Sequence, residues 1–446
     1  MYLIYNLALW LASPFLLLWA AGRNLRGRLP GLAERSGLFP PNPARGNGPV
    51  VWFHAVSLGE MKVAAFLAEQ LRSHAAALQV ILTASTRTGH DEARRRAASE
   101  DIVLYPPLDF AWVCRRFLKQ WRPDVVVVME TELWPNLLRE VKRSGAALLL
   151  ANGRISDRSL PRYAASRFFW RRVLSHPDAF FVQSERDAER FALIGAPSAR
   201  IHVAGNLKFA IRASASPLSD ALSIGIRQAQ VGPVLVAGST MPGEETYLLD
   251  AFLALRREFP DLWMILAPRH PERAAAIRAE INFAGIPLQL RSGWRPGESL
   301  VPGIFLLDSS GELASLYRLA TVAFIGGTLV PTGGHNILEP AHFACPTVIG
   351  PSMHNFREIA VQFLQAQAVI QVDRPSELVL ALRKLFLHPE AAKRLGQAAH
   401  DLLERQMSGL APLLEELGRR LGGKTGEAPA AAAISHPAAA GAGQWK

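Results

Sequence analysis

Cysteine is almost absent from the 446-residue chain, which contains only Cys114 and Cys345. Two thiols are too few for the disulfide framework of a small secreted protein or for a zinc site with four cysteine ligands. The 12 histidines are scattered and show no spacing typical of metal ligands. The sequence therefore predicts a body suited to the cytoplasm, with no metal and no cofactor.

Acidic residues are fewer than basic ones: the chain has 38 Asp and Glu and 49 Lys and Arg. Its formal net charge is +11 and its pI is near 10.1. Such a balance suggests a polyanionic partner, which is nucleic acid, anionic lipid or a phosphorylated substrate. The basic residues are spread along the chain, and no RNA-binding motif with interleaved aromatic residues occurs. We therefore expect no nucleic acid partner, and a lipid surface or phosphorylated substrates remain.

Charge is missing altogether from residues 1–22, MYLIYNLALWLASPFLLLWAAG. About 20 helical residues span the hydrocarbon core of a bilayer, and Pro14 would kink such a helix without forbidding it. No basic residue precedes the apolar run, as it would in a cleaved signal peptide, whereas Arg23, Arg26 and Arg28 follow it. We predict an N-terminal membrane anchor at residues 1–22 with the body on the cytoplasmic side. A helix lying in the membrane interface is the alternative.

Beyond a Pro/Gly-rich connector, short apolar runs such as GPVVWFHA, LQVILTAS and DVVVVME alternate with helix-like segments. This alternation indicates a parallel sheet covered on both faces, and the length indicates two cores. It pauses in a looser stretch at residues 213–232 and restarts with GPVLVAGST. We predict an α/β fold with two Rossmann-like domains facing one another across a cleft. Their bounds are residues 36–212 and 230–422, with a disordered Ala/Gly/Pro-rich tail at 424–446.

The two halves share one detail. Gly48-Pro49-Val50 stands twelve residues before Glu60, and Gly232-Pro233-Val234 stands twelve before Glu244. Both glutamates follow a glycine and open a predicted helix. The repeat agrees with two halves that are built in the same way.

Polar side chains follow several predicted strands of the first half. They are His54, Ser57 and Glu60 after the first strand, Glu130 and Glu132 after DVVVVM, Asn152 and Arg154 after AALLLA, and Asn206 and Lys208 after RIHVAG. Ligands of parallel sheets bind beyond the carboxyl ends of the strands, so these residues are candidates for one site. Neighbouring carboxylates push their pKa values apart and cations lower them, which separates acid from base.

Glu60 has two interpretations. Ser57 and Glu60 form an S-x-x-E capping box, which stabilises a helix start by about 1 kcal/mol and needs no function. Alternatively, a carboxylate at a helix N-terminus is kept ionised and acts as a general base. Glu132 is open in the same way, as an acid–base group or as the solvated start of a helix.

The second half carries a glycine-rich stretch, FIGGTLVPTGGHNILEPA, at residues 324–341. Its two glycine pairs allow the backbone to approach a ligand closely, and a helix predicted to begin near His335 offers N–H groups to a phosphate. Asn336 and Glu339 lie at helical spacing, where a carboxylate accepts hydrogen bonds from ribose hydroxyls. These features indicate a sugar-nucleotide pocket, the alternative being a Gly-rich turn with a core histidine. No D-x-D motif occurs, so cationic side chains and a helix end would stabilise the phosphates.

Seven motifs give the chain a specific resemblance. HAVSLGE, METELWPN, NGRIS, GNLKF, APRHPER, SSGELASLY and GGTLVPTGGHNILEPA occur in this order between the anchor and about residue 410. Together they resemble the 3-deoxy-D-manno-octulosonic acid (Kdo) transferases of Gram-negative lipopolysaccharide assembly. The resemblance implies an inverting, metal-independent GT-B glycosyltransferase of the inner membrane, with CMP-Kdo as donor and lipid IVA as acceptor.

The resemblance also implies roles for individual residues. The general base of the family falls on Glu60, and its transition-state stabilisers fall on Glu130 and Lys208. The loops that contact CMP fall on Pro268 and Arg269, on Ser310, Gly311 and Glu312, and on Asn336, Ile337, Leu338 and Glu339.

A lipid acceptor agrees with the anchor and with the positive charge. The segments FAWVCRRFLKQWR (residues 110–122) and RYAASRFFWRRVL (residues 162–174) place Arg or Lys beside Phe and Trp. Each is interpreted as a membrane-surface or acyl-chain contact, or as an amphipathic helix that packs on its own sheet.

Two other function classes stay open on the sequence. Two-domain sugar-nucleotide epimerases share the predicted architecture and similar loops, but have no reason for an N-terminal anchor. A non-catalytic anchored scaffold would tolerate Glu60→Gln, and it leaves the polar residues at the strand ends unexplained.

Overall fold

The computed structural model of the protein describes residues 2–25, 30–41, 48–73, 77–210, 216–407 and 409–422. Contacts divide the chain into two compact units. The first, here called the N-terminal domain, contains Met1–Ile211 and Gln406–Lys446, and the second, the C-terminal domain, contains Arg212–Arg405. The predicted disordered tail at residues 424–446 lies outside the described residues.

Seven parallel strands form the sheet of the N-terminal domain, in the order β3-β2-β1-β4-β5-β6-β7. They are β1 (Val50–Ala55), β2 (Gln79–Ala84), β3 (Ile102–Leu104), β4 (Val125–Met129), β5 (Ala147–Gly153), β6 (Ala179–Val182) and β7 (Ile201–Val203). All five residues of β4 are buried, because helices cover both faces of the sheet. Successive side chains of a strand point to opposite faces, so Val51 and Phe53 enter one core while Val50 and Trp52 enter the other.

Two helices precede the first strand, and from the third onward the helices of the first part of the chain alternate with the strands as the sequence predicts. They are α1 (Tyr2–Leu25), α2 (Leu32–Arg35), α3 (Leu58–Arg72), α4 (Arg87–Arg96), α5 (Ala111–Trp121), α6 (Pro135–Ser144), α7 (Leu160–Ala165), α8 (Arg167–Val173) and α9 (Glu185–Leu193). Of the two basic amphipathic segments, α5 buries Phe117 and Trp121 against the sheet, as expected for simple packing. Phe168 on α8 is exposed.

The C-terminal domain repeats this plan, with the parallel strand order β10-β11-β9-β8-β12-β13-β14. Its strands are β8 (Val234–Thr240), β9 (Trp263–Pro268), β10 (Leu288–Leu290), β11 (Ile304–Leu306), β12 (Val322–Ile325), β13 (Thr347–Ile349) and β14 (Ile370–Gln371). Its helices are α10 (Pro217–Gln228), α11 (Glu244–Arg256), α12 (Ala274–Phe283), α13 (Leu313–Leu316), α14 (Leu338–Ala341), α15 (Arg357–Gln365), α16 (Leu378–Leu387) and α17 (Pro389–Met407).

The boundary between the domains differs from the predicted ranges 36–212 and 230–422 in two places. The stretch at 213–232 contains α10, a helix of the C-terminal domain whose N-cap is Ser216. The last helix, α18 (Leu410–Gly422), belongs to the N-terminal domain, because its buried leucines complete a core on that sheet. Such a return of the chain cannot be recognised from the order of helices and strands.

The N-terminal helix α1 packs its first turns on the N-terminal domain. Tyr5 donates a hydrogen bond to Asp109 Oδ2 at 2.7 Å, and Asn6 Nδ2 lies 3.3 Å from Asn136 Oδ1. Apolar side chains on the other side of the helix are exposed: Leu3, Ile4, Leu7, Trp10, Leu11 and Phe15. Among the helices of the described residues, none combines the length and the apolar character that crossing a membrane requires.

Each sheet reverses its strand order next to its first strand, between β1 and β4 and between β8 and β12. In open parallel sheets, ligands bind in the crevice outside the carboxyl ends of the strands at such a switch point. Glu60 follows β1 and Glu130 follows β4, so both lie at the switch point of the N-terminal domain. The glycine-rich stretch follows β12 at the switch point of the C-terminal domain.

Candidate active site

Glu60 lies in the first turn of α3, and Ser57 is the N-cap of that helix. The Glu60 backbone N–H donates to Ser57 Oγ at 3.3 Å, and the Ser57 hydroxyl donates to Glu60 Oε1 at 2.7 Å. The Val56 backbone N–H donates to Glu60 Oε2 at 2.8 Å. The predicted capping box is therefore present, and it occupies both carboxylate oxygens with donors.

The environment of Glu60 also prepares it to accept a proton. Only 6% of the residue is exposed. Burial raises the pKa of Glu60 above its usual value, against the lowering effect of the hydrogen bonds from Ser57 and Val56, and the nearby Glu130 carboxylate raises it further. A carboxylate with a raised pKa is a stronger base, and its hydrogen bonds fix its orientation. Cap and candidate base are therefore compatible in one side chain.

Glu130 follows β4 directly and has a left-handed backbone, with φ at 50°. Non-glycine residues rarely adopt this conformation, and it is concentrated at functional sites. Its Oε1 accepts a hydrogen bond from Lys208 Nζ at 2.8 Å, and Arg154 Nε lies 3.5 Å from its Oε2. Two cations therefore compensate the charge of this carboxylate.

Lys208 reaches the site from a 3₁₀ turn, Leu207–Ala210, that follows β7. A Cβ atom at Gly59 would lie 3.6 Å from Lys208 Cε and 3.9 Å from its Nζ. The lysine side chain therefore passes over the first turn of α3, between Glu60 on that turn and its partner Glu130. The structure thus brings the three predicted catalytic residues together at one edge of one sheet.

Two asparagines from the strand ends hold the turn that carries Lys208. Asn152, fully buried and with φ at 59°, accepts the Leu207 N–H on its Oδ1 at 2.9 Å. Asn206 Oδ1 accepts the Lys208 N–H at 3.1 Å. These predicted site residues position the lysine.

His54 lies beneath the site as a packing group. It is fully buried, its Nδ1 lies 3.1 Å from Thr83 Oγ1, and its ring meets the Trp134 ring edge-on at 4.7 Å. Burial lowers the pKa of His54 to about 3, so the imidazole is neutral at physiological pH. Its Nε2 is buried without a hydrogen-bond partner among the described residues, and sequence reasoning does not distinguish such a core histidine from a catalytic one.

The second group of predicted residues lies in the C-terminal domain. Pro268 ends β9 and is buried, while Arg269 is exposed and donates its N–H to the Thr240 carbonyl at 3.0 Å. Burial lowers the pKa of His335, and the nearby Arg269 and His270 lower it further. Arg269 therefore lies near the glycine-rich stretch, as expected for one anion-binding region.

Glu312 stands at the start of α13 and is held by neighbours on both sides. Ser309 donates to its Oε2, and Arg291 Nη2 donates to its Oε1 at 3.0 Å. Ser310 and Gly311 are exposed beside it, and Gly311 has φ at 88°, which favours glycine. Sequence reasoning missed Arg291, because no motif connects it with a loop 21 residues later.

Asn336 and Glu339 form an Asx-type turn into α14. Asn336 Oδ1 accepts the Leu338 N–H at 3.2 Å, and its Nδ2 donates to Glu339 Oε1 at 3.1 Å. The helix begins at Leu338 and has four residues, so the prediction of a helix from His335 is wrong. The turn formed by Asn336 replaces that helix start.

The first N–H groups of the glycine-rich loop bind a side chain of the same domain. Glu244, fully buried at the start of α11, accepts the N–H groups of Gly327 at 2.6 Å and of Thr328 and Leu329 at 2.9 Å each. These three N–H groups of the loop are therefore bound by a carboxylate of the protein.

Free N–H groups follow directly after this loop. Among the residues that the structure describes, none accepts a hydrogen bond from the backbone N–H of His335, Asn336 or Ile337. These three donors are available to an anion, at the place where the sequence predicted N–H groups for a phosphate.

Comparisons with known proteins identify the family of the chain. The family model described as 3-Deoxy-D-manno-octulosonic-acid transferase (kdotransferase) matches residues 30–211. The 3-deoxy-D-manno-octulosonic acid transferase of Haemophilus influenzae is 31% identical over 393 residues, which are 86% of this chain and 90% of that protein. The chain belongs to the Kdo transferase family. Its activity is that of a glycosyltransferase that transfers Kdo.

A solved structure with low sequence identity shares the fold. A UDP-N-acetylglucosamine 2-epimerase covers 84% of this chain and 97% of its own, with a TM-score of 0.52 at 12% identity. The predicted α/β class, with two Rossmann-like domains of the GT-B type, is confirmed. The C-terminal CMP-Kdo binding domain of WaaA from Acinetobacter baumannii is 32% identical and covers 42% of this chain and 98% of its own, with a TM-score of 0.39.

Proposed function

We propose that this Kdo transferase uses CMP-Kdo as donor and lipid IVA as acceptor, with Glu60 as the general base. The observation that carries the proposal is the geometry around Glu60. Its carboxylate is fixed by Ser57 and Val56, and it lies beside the ion pair of Glu130 and Lys208. An acceptor hydroxyl gives its proton to Glu60 as its oxygen attacks the anomeric carbon of Kdo. Displacement from the side opposite to CMP inverts the configuration.

Glu130 and Lys208 are the proposed transition-state stabilisers. The anomeric carbon gains positive charge as CMP leaves, and an ionised carboxylate such as Glu130 stabilises that charge. Lys208 compensates the negative charge of Glu130 through the 2.8 Å contact. Its ammonium group also suits an anionic group of the donor, which carries a carboxylate and a phosphate.

The donor site in this proposal is in the C-terminal domain. Arg269 and the free N–H groups of residues 335–337 suit the departing phosphate, because both supply positive charge without a metal. Glu312 and Glu339, each on a short helix turn, suit hydroxyl groups of the nucleotide. Pro268, Ser310, Gly311, Ile337 and Leu338 would contribute backbone and shape.

The proposed location is the cytoplasmic face of the inner membrane, where lipid IVA would be the acceptor. Support comes from the exposed apolar side chains of α1, with Leu3 at 86% and Phe15 at 76% exposure. Phe168 on α8 is exposed by 73% and lies between Arg167 and Arg171, a combination that suits a lipid interface. The net charge of +11 favours anionic lipid and a phosphorylated acceptor.

The test is transfer by the purified full chain, with CMP-Kdo generated in situ, lipid IVA in detergent and no added divalent metal. The mass of the lipid product is followed for wild type, Glu60→Gln and Glu69→Gln, which changes an exposed glutamate of the same helix. We expect a Kdo-sized mass gain with wild type and with Glu69→Gln. Loss of a general base lowers the rate by about 10²–10⁴-fold, and Glu60→Gln should still melt near the wild-type temperature.

Other outcomes separate the alternatives. Wild-type turnover of a sugar nucleotide without any lipid acceptor would favour the epimerase class. Normal transfer by Glu60→Gln would leave Glu60 as a cap only. No lipid product with wild type, while a positive control works, would contradict the proposed donor and acceptor.

A further inference from the structure

Glu132 is a third carboxyl group of the same sheet edge, and it has no part in the proposed transfer. It stands two residues after Glu130, beyond the end of β4. Its Oε2 accepts a hydrogen bond from Trp134 Nε1 at 2.9 Å. The Trp134 ring is itself fixed edge-on against buried His54. The position of the Glu132 carboxyl group is therefore set by packing, as the position of a binding group must be.

The other oxygen of this carboxyl group, Oε1, has no hydrogen-bond donor among the described residues. In the part of the chain that the structure describes, no Lys, Arg or His forms an ion pair with Glu132. Glu130 differs, since it has both Lys208 and Arg154 as partners. One oxygen of the Glu132 carboxyl group accepts a hydrogen bond that fixes the group, and the other oxygen is available. A carboxyl group held in this way in a site is suited to bind a ligand.

The groups that surround Glu132 favour its neutral form. Burial raises the pKa of Glu132 to about 7, the Trp134 bond opposes this, and the carboxylates of Glu60 and Glu130 raise it further. Tyr163 faces it from α7, and burial and Glu132 raise the pKa of that phenol, so the tyrosine is uncharged. His54 behind Trp134 is neutral, because burial and the Arg35 cation lower its pKa.

The three carboxyl groups of this edge therefore have different surroundings. Glu130 is paired with two cations, Glu60 is fixed by two donors, and burial raises the pKa of Glu132 to about 7. Environments that separate the pKa values of neighbouring carboxyl groups separate their roles. A proton on Glu132 also avoids a third negative charge beside the base and the phosphorylated acceptor.

We propose that Glu132 binds the acceptor sugar, donating a hydrogen bond from its neutral carboxyl group to a sugar oxygen next to the hydroxyl that Glu60 deprotonates. The proposal rests on the proposed function. It adds an acceptor-binding residue to that site, and it requires that ionisation of Glu132 weakens acceptor binding.

The experiment measures kcat/KM for lipid IVA between pH 5.5 and 9 at saturating CMP-Kdo, for wild type, Glu132→Gln, Glu132→Ala and the control Glu69→Gln. We expect wild type and the control to lose activity above about pH 7, as Glu132 ionises. Glu132→Gln, whose amide still donates, should lose about threefold at pH 6 and show no further fall at high pH. Glu132→Ala should raise the KM for lipid IVA about tenfold or more, with the KM for CMP-Kdo unchanged.

The glutamine variant separates the titration of Glu132 from that of the phosphates of lipid IVA, which occurs in the same pH range. An alkaline fall of equal size in Glu132→Gln and wild type would overturn the proposal. So would a wild-type KM for lipid IVA in Glu132→Ala. In both cases wild type still transfers Kdo, so the proposed function stands. Absence of transfer by wild type removes the proposed function and this inference together.

Discussion

The proposed base illustrates how one residue serves structure and chemistry together. Glu60 accepts hydrogen bonds from Ser57 and Val56, which satisfy groups at the start of α3. The same bonds orient the carboxylate, and burial keeps its pKa above the usual value. A helix cap is therefore no argument against catalysis, because the cap supplies the rigidity that a base needs.

The ion pair of Glu130 and Lys208 gives a prediction at the same scale. Lys208→Met removes the cation beside Glu130, and we expect kcat to fall by about 10²–10³-fold, as for loss of one electrostatic stabiliser. The ammonium group is partly exposed, with 32% of the side chain accessible. Stability should therefore change by no more than about 1 kcal/mol. Turnover and thermal melting are measured on the same preparations.

The chain offers a matched control for this substitution. Lys142 contacts Asp178 at the same 2.8 Å distance, with 38% and 17% of the side chains exposed, away from the catalytic residues. Lys142→Met should leave turnover unchanged. Equal losses of activity in both variants would mean that any such ion pair matters only for folding, and Lys208 would lose its proposed role.

Among the elements, the two strand-to-helix junctions show the same construction put to different use. Glu60 accepts the Val56 N–H at 2.8 Å, and Glu244 accepts the Met241 N–H at 2.9 Å, each from just before its helix. Glu244 also accepts three N–H groups of the glycine-rich loop, so it is a structural clamp of the C-terminal domain. The two glutamates therefore share the same backbone hydrogen bond at a helix start, but Glu60 is the proposed base and Glu244 holds a loop.

The clamp formed by Glu244 leads to a prediction about the stability of the C-terminal domain. Glu244→Ala leaves four backbone N–H groups without their acceptor, and we expect about 2–4 kcal/mol of lost stability. The loop that continues into Asn336 should also move, which raises the KM for the donor. Thermal melting and donor kinetics measure the two effects.

Glu258→Ala is the control for this clamp. Glu258 is 44% exposed in its pair with Arg383, so its loss should change stability by less than about 1 kcal/mol. A Glu244→Ala variant that melts and binds donor like Glu258→Ala would contradict the clamp.

The sequence predicted the strands better than the helices that carry the donor loops. Buried runs such as Val125–Met129 identify parallel strands because both faces are covered. The helices α13 and α14 have four residues each, which is too short for apolar residues to recur at helical spacing in the sequence. The bonds from Glu244 to the loop at 327–329 join residues more than 80 positions apart, and no local pattern encodes them.

For the candidate site, the sequence motifs predicted which residues belong to it, but not the side chains that contact and support them. The grouping of Glu60, Glu130 and Lys208 follows from their places at strand ends. The neutral state of His54 depends on burial, and the support of Glu312 depends on Arg291. Both are consequences of packing between distant segments, which a single sequence does not contain.

For the whole molecule, the last described helix has a consequence for how the chain can be divided. After the C-terminal domain, α18 returns to the N-terminal sheet. Its buried leucines recur at helical spacing on one side of the helix: Leu410, Leu413, Leu417 and Leu421. They pack with α3 side chains such as Met61 and Leu67 in one core. The N-terminal domain is therefore completed by residues from the far end of the chain.

Ending the chain after Arg405 should consequently unfold the N-terminal domain, although no residue of its own first segment is changed. Each buried leucine contributes about 1.5–3 kcal/mol, so loss of four approaches the whole stability of a domain, about 5–15 kcal/mol. The truncated protein should show one early melting transition or aggregate, and it should lose transfer. A chain that ends after Gly422 keeps all four leucines and should melt like the full chain.

A single substitution tests the same packing more mildly. Leu413→Ala should lower the free energy of unfolding by about 2–5 kcal/mol, and the exposed control Glu415→Ala should leave it almost unchanged. If the chain ending at Arg405 kept the wild-type melting curve, α18 would be dispensable, and the N-terminal core would have to be complete without it.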